Sequence, residues 1–427
     1  MAAVGKFRAV RGMRDIPPPQ SQWWQHAENR IISVMRRYGY REIRLPLIEA
    51  TDLFHHSVGA HTDIVSKEMY SFTDQGGERL TLRPEGTASC ARALLQNPRA
   101  LQLPARLWYA GPMFRHERPQ HGRYRQFFQI GLETFGLPGA DIETEVLALI
   151  RDCWQELDIT DLVTLEINTL GNTAERTAYR QALVAWLHDR ATALDPASRA
   201  RLDTNPLRIL DSKLPATRAL LDEAPVLSEY LEADSRKHFD HLKYLLETLA
   251  IPFRVNPRIV RGLDYYSNTV FEWTTDKLGA QGTICAGGRY DGLMEVLGGP
   301  PTPGMGMAIG LDRVLELLMT YNVDTAMDNG YADIYLVPLQ DAQLPACLQF
   351  ADELRIRLPE MRVVCHCGGG RTRNRMKKAD QSGARVVLIV GEEELRSGQV
   401  AIKPLRADGV QITVPLAETV SHVRKYL

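Results

Sequence analysis

Residues 113–136 read MFRHERPQHGRYRQFFQIGLETFG. Arg115, His116, Arg118, His121, Arg123 and Arg125 crowd around two turn formers, Pro119 and Gly122, and an apolar run follows. The pattern predicts two long strands over 106–135 with a basic loop at their tip. Side chains alternate across a strand, so parity sorts the second one. Phe128, Ile130, Leu132 and Thr134 form a core face, and Phe127, Gln129, Gly131 and Glu133 form the other. The second face has two readings. It meets water, as one face of an antiparallel sheet often does, or it meets a ligand that donates hydrogen bonds, because a buried carboxylate without a partner is costly. On the ligand reading Gly131 leaves space. Arg115 reaches over the same face with a fork suited to phosphate, Arg123 holds a second phosphate group, and Phe127 offers a flat surface to a purine.

Working outward, residues 20–38 predict an amphipathic helix ending near Gly39, followed by an extended segment whose Pro46 points to a sheet edge or end. A helix is expected over 141–157 and a strand over 163–168. These elements make the first part of a domain, 1–171. A helical insertion, rich in Ala, Leu, Arg and Glu, spans 172–250. Strand signals return for the second part of the domain, 251–325. After a polar linker near 321–331, strands and helices alternate over 331–427, the mark of a small α/β domain.

There is no GxxxxGK[ST] loop, and GMGMAIG at 304–310 fails the GxGxxG pattern by one residue. Parity explains it better. Met305, Met307 and Ile309 face the core, and Gly304, Gly306, Ala308 and Gly310 leave the opposite face bare, for a ligand or for close sheet packing. Arg313 follows at the start of a helix and projects back over that face.

The net charge of −1 excludes a uniformly basic nucleic-acid coat but not local basic patches. Six cysteines without a CxxC pair read as reduced thiols. Cys365 and Cys367 read as small buried side chains rather than metal ligands, and no protein-bound transition metal is expected. No apolar run is long enough for a membrane span. Lys6, Arg8, Arg11 and Arg14 precede the first acid, Asp15, a faint transit-peptide signal, but the stretch is too short and runs at once into Pro17–Pro19, so the expected location is cytoplasmic.

Together these segments resemble the class II aminoacyl-tRNA synthetases. Residues 114–127, with Arg115, Glu117, Arg123 and Phe127, are similar to their motif 2; 304–313 to motif 3; and 40–49, with Pro46, to the looser motif 1. Within the class, 261–266 (RGLDYY) and 287–293 (GGRYDGL) resemble the two signature peptides of the histidyl-tRNA synthetase family, and 81–87 (TLRPEGT) its amino-acid-binding loop. The resemblance implies an α+β catalytic domain with a central antiparallel sheet flanked by helices, a helical insertion, a C-terminal α/β anticodon-binding domain and a homodimer formed through motif 1. It implies activation of L-histidine with ATP and Mg²⁺, then transfer to the terminal adenosine of tRNA(His). Arg115 and Arg261 would grip the α-phosphate as catalytic residues. Glu117, Arg123 and Arg313 would serve the rest of ATP, with the adenine between Phe127 and Arg313. Glu85, Gly86, Thr87, Gln129, Glu133, Tyr265 and Tyr266 would form the histidine pocket.

Gln120 and Arg125 are candidates for the tRNA acceptor end. In the C-terminal domain Arg371, Arg373 and Arg375 are candidates for phosphate contact, with a solvated helix face as the alternative. A runner-up for the whole chain is a non-catalytic, synthetase-like regulatory subunit of ATP phosphoribosyltransferase. That protein departs from the signature peptides and lacks the C-terminal domain, whereas both features are present here. A sensor of uncharged tRNA would bring a kinase, and none is present.

Overall fold

The structure is a computed structural model that describes residues 7–59, 62–119, 122–212, 214–260, 262–279, 282–321 and 330–426. The chain divides into two compact units, Met1–Thr325 and Ala326–Leu427.

The first unit is built on an eight-stranded sheet. Its order is Arg41–Glu42, Ala105–Phe114, Gln126–Phe135, Gly304–Gly310, Thr283–Arg289, Ser267–Thr274, Thr164–Thr169 and Phe253–Val255. The inner pairings are antiparallel, as expected, but the pair at each edge is parallel, so the sheet is mixed. Each parallel pair is joined by a long connection: the whole helical segment, for instance, separates Thr164–Thr169 from Phe253–Val255. Parallel neighbours require such crossovers.

One face of the sheet is covered by Gln20–Arg37, Ala140–Glu156, Leu311–Tyr321 and Ala233–Thr248, whose apolar stripes join one core with Ile130, Leu132, Met305, Met307 and Ile309. Gln20–Arg37 buries Trp24, Ala27, Ile31, Val34 and Met35, a three-and-four spacing, and Gly39 follows it with φ +78°. Pro46 lies between Arg41–Glu42, on the large sheet's edge, and Ile48–Ala50, which belongs to a separate three-stranded sheet with Arg79–Leu82 and Tyr70–Thr73. Between Thr173–His188, whose Asn172 and Glu175 form a capping box, and Leu231 the helical segment has its own core of leucines around Tyr179.

The second unit has a five-stranded sheet in the order Val363–Cys365, Ile334–Pro338, Val386–Val390, Gln399–Pro404, Ile412–Pro415. The first three strands are parallel, and Ile334–Pro338 is buried throughout, as a strand covered on both faces must be. Its core is its own.

Candidate active site

The hairpin register builds the floor of the site. Tyr109 lies opposite Gly131 on one side, and Ala308 lies opposite it on the other. A Cβ at Gly131 or at Gly86 would overlap the Tyr109 ring. The space left by Gly131 is therefore filled by the protein, which corrects the expectation that a ligand takes it. The bare stretch of Gly304–Gly310 divides similarly. A Cβ at Gly306 would overlap the Glu133 carboxylate and one at Gly304 the Tyr290 ring, while Ala308 and Gly310 open onto a cavity. Close packing and ligand space, the two alternatives for this strand, each hold for half of it.

Glu133 is fully buried, which removes the solvated-face reading of its strand. Its Oε1 accepts from Thr87 Oγ1 at 2.7 Å and from Tyr109 Oη at 2.9 Å, and its Oε2 accepts from Tyr290. Burial pushes the Glu133 carboxyl up to about 8, against the pull of those three hydroxyls. Burial and the Glu133 charge push the Tyr109 and Tyr290 hydroxyls well up, so both stay protonated donors. Glu85, also buried, accepts from Thr87 N at 2.6 Å and Ala88 N at 3.0 Å at the start of Thr87–Gln96, and from Tyr265 Oη at 3.5 Å. Burial raises its carboxyl and the helix amides lower it. Tyr265, Tyr266 and Tyr290 pack with centroids 4.7–6.3 Å apart.

The other end of the cavity is cationic. Arg115 Nε donates to Pro84 O at 2.9 Å, and its guanidinium lies 5.2 Å from the Phe127 ring centroid. Arg123 pairs with Glu117 at 3.2 Å. Arg313 donates through Nε to Gly122 O at 3.4 Å and through Nη1 to Thr283 O. Burial lowers the Arg313 guanidinium's affinity for its proton, and the nearby Arg123 and Arg115 lower it further. Three like charges held together in a half-dry cleft call for a polyanion.

Glu85, Gly86, Thr87, Arg115, Glu117, Arg123, Phe127, Gln129, Tyr265, Tyr266 and Arg313 all line this one cavity. Glu133 does not. It sits one layer behind, holding the Thr87 and Tyr109 hydroxyls that do. Arg261 and Gln120 lie outside the described residues. Arg125 is half-buried, its Nε donating to Glu117 O at 3.3 Å. Tyr109, which parity puts on the face of Arg115, joins the site without any motif of its own. Tyr290, from the 287–293 peptide, joins it through its bond to Glu133.

In the second unit Arg371 and Arg373 are exposed. Arg375 is buried, its fork spent on Gly370 O, Pro338 O and Asp341 Oδ1 at 2.8, 2.9 and 2.5 Å, so its expected phosphate contact gives way to an internal role. Cys365 is buried but Cys367 is exposed, half correcting the expectation of two buried thiols. Among the described residues no three His, Cys, Asp or Glu side chains gather as a metal cage, and no helix is long and apolar enough to cross a membrane.

Residues 12–314 match the family model for histidyl-tRNA synthetase, and 333–426 match an anticodon-binding-domain model. A solved apo histidyl-tRNA synthetase from S. aureus is 31% identical, covers 98% of this chain and 100% of its own, and superposes with a TM-score of 0.79. One from a Nostoc species is 20% identical at a TM-score of 0.72, covering 98% of this chain and 99% of its own. A Bacillus halodurans structure described as an ATP phosphoribosyltransferase regulatory subunit/histidyl-tRNA synthetase shares the fold at 21% identity and a TM-score of 0.61, covering 85% of this chain and 93% of its own.

Proposed function

The chain belongs to the histidyl-tRNA synthetase family and is an aminoacyl-tRNA ligase, and from that premise we propose how its cavity divides the work of joining L-histidine to tRNA(His). The observation that carries the reading is the pairing, in one cavity, of a cationic end built on Arg115, Arg123 and Arg313 with a hydroxyl-and-carboxylate end built on Glu85, Thr87 and Tyr109 and backed by the buried Glu133.

ATP lies at the cationic end, its adenine between Phe127 and the Arg313 side chain and its outer phosphates against Arg123 and Arg313. Histidine lies at the other end. Glu85 keeps a lone pair beyond those that the helix amides and Tyr265 use, and it accepts from the α-ammonium beside Gln129. Tyr265 and Tyr266 close the imidazole pocket, and Glu133 sets the orientation of the hydroxyls that meet the ring. A site built to satisfy a donor and an acceptor on its substrate rejects amino acids lacking them by about 10⁴- to 10⁵-fold. The histidine carboxylate attacks the α-phosphorus, a P–O bond forms as the bond to pyrophosphate breaks, and Arg115 with Arg261 neutralises the charge gathering on the α-phosphoryl oxygens. A ribose hydroxyl of the terminal adenosine then attacks the histidyl carbonyl and AMP leaves.

The donor set fits Mg²⁺ carried in on the nucleotide. Such an ion keeps its waters, takes most of its ligands from phosphate and needs only one or two protein carboxylates, and Glu117 stands at that end of the cavity. Leu47, Ile48 and Phe72 expose apolar side chains on and beside the three-stranded sheet, which supports a homodimer in which a second copy covers them. Arg371 and Arg373 remain candidates for tRNA phosphate, and a cytoplasmic location suits the substrates.

ATP–pyrophosphate exchange with each of the twenty amino acids tests the reading. Histidine alone should respond, and exchange with none of them would favour the regulatory-subunit alternative. Removing residues 331–427 should spare exchange, because the first unit keeps its cores intact, and should weaken tRNA charging. Undiminished charging by the truncated chain would end the anticodon assignment.

A further inference from the structure

The segment before the first helix takes no part in the reading above, yet it is fastened to the nucleotide end of the cavity. Arg14 extends its guanidinium between two elements that are far apart in sequence. Its Nη2 donates to Asp312 Oδ1 at 2.8 Å, its Nη1 donates to Tyr124 Oη at 3.0 Å, and its Cζ stands 4.1 Å from the centroid of the Tyr124 ring. Two residues earlier, Gly12 O accepts from Arg125 N at 2.7 Å. Gly12 has φ +85°, and a Cβ there would come within 2.8 Å of the Arg125 side chain. Arg125 in turn passes its carbonyl to Arg115 N at 2.9 Å. The Gly12–Arg14 stretch is thus pinned to the returning side of the basic loop by backbone and side chain together.

Asp312 explains why the pin matters. Its side chain is 6% exposed, and its other oxygen accepts from Phe128 N at 2.8 Å. A carboxylate that deep needs a counter-charge. It lies between Phe127–Phe128 and Arg313, the residues that would hold adenine and the outer phosphates. With Arg14 in place, Asp312 ties the start of Leu311–Tyr321 to the hairpin strand. Without it, the buried charge loses its partner, and both the helix start and the loop around Tyr124 are released.

We propose that Gly12–Arg14 is a latch that positions the ATP-binding groups, with Arg14 as a positioning residue that acts through Asp312 and Tyr124. The proposal rests on the assignment of this end of the cavity to ATP. Pyrophosphate exchange by an Arg115→Ala variant tests that assignment separately, and the variants below are compared with the activity of the unmodified chain.

Steady-state exchange with ATP and histidine varied in turn tests the latch. Arg14→Ala should raise the KM for ATP by about tenfold, the effect of losing one hydrogen bond to a charged group, and leave the KM for histidine unchanged. Arg14→Lys keeps a charge on Asp312 but cannot span to Tyr124, so it should recover part of the loss. Gly12→Ala, whose strained φ and crowding against Arg125 act on the backbone side of the same latch, should shift the KM for ATP in the same direction. An unchanged KM for ATP in Arg14→Ala would overturn the proposal. Equal rises in both KM values, or no recovery with lysine, would do so too, since they would mark a general loosening of the fold.

Discussion

Arg115→Ala is expected to lower histidine-dependent ATP–pyrophosphate exchange by about 10²- to 10³-fold, the cost of removing one preorganised donor from a developing charge. The expectation follows from how the side chain is held. Pro84 O fixes Nε at 2.9 Å and the Phe127 ring lies under the guanidinium, so the fork is aimed before any nucleotide arrives. Little reorganisation is left for the moment of reaction, and that gives such a donor its value. Arg115→Lys should recover little, because an ammonium cannot bond Pro84 O and present two parallel donors to a phosphoryl group at once. The loss should appear mainly in kcat, since Arg123 and Arg313 still hold the outer phosphates. Near-normal exchange in either variant, measured under saturating ATP and histidine, would remove Arg115 from the chemistry.

Parity made most of this cavity legible. It put Arg115, Phe127, Gln129 and Glu133 on one surface, and the register of Ala105–Phe114 against Gln126–Phe135 keeps them there. The same rule reaches Tyr109, six residues before Arg115. That tyrosine escaped notice because an aromatic in an apolar strand reads as core, and only the pairing with Gly131 shows that a glycine was needed to admit its ring. The parallel edge pairs escaped for a different reason. Whether a short edge strand pairs one way or the other depends on the path of the connection rather than on local pattern, and Phe253–Val255 returns only after the entire helical segment. Arg375 shows the limit of reading charge from composition. Within a basic run every arginine looks solvated, but helical periodicity turns this one inward beside Ala379, where Gly370 O, Pro338 O and Asp341 Oδ1 engage all three of its side-chain nitrogens. Arg14 stands in sequence as one of a few N-terminal basic residues, and its partner Asp312 lies 298 residues away, beyond any local pattern.

Glu133→Gln should raise the KM for histidine by about 10- to 100-fold, the range for leaving one or two buried hydrogen-bonding groups unsatisfied, and leave the KM for ATP unchanged. The carboxylate accepts from Thr87, Tyr109 and Tyr290 through its two oxygens. An amide brings two donor hydrogens where the carboxyl brings at most one, so at least one hydroxyl must rotate away. Thr87 and Tyr109 line the cavity, so the disturbance reaches the amino-acid end, while Arg115, Arg123, Arg313 and Phe127 are not hydrogen-bonded to Glu133 in any described contact. Equal losses for both substrates would count against the pocket. Stability supplies an independent readout. Burial raises the Glu133 carboxyl from 4.5 to about 8, so across that window the folded chain holds a proton that the unfolded chain has released. The resulting stabilisation is complete below 4.5 and is lost as pH rises until it passes about 8. Unfolding by urea at a series of pH values should therefore show a decline in the parent chain that is shallower in Glu133→Gln. Part of the slope should persist, because Glu143 raises His238 and that group too favours the folded chain at lower pH. An identical slope in both proteins would mean that Glu133 stays ionised in the empty site, held by its three hydroxyl donors against the cost of burial.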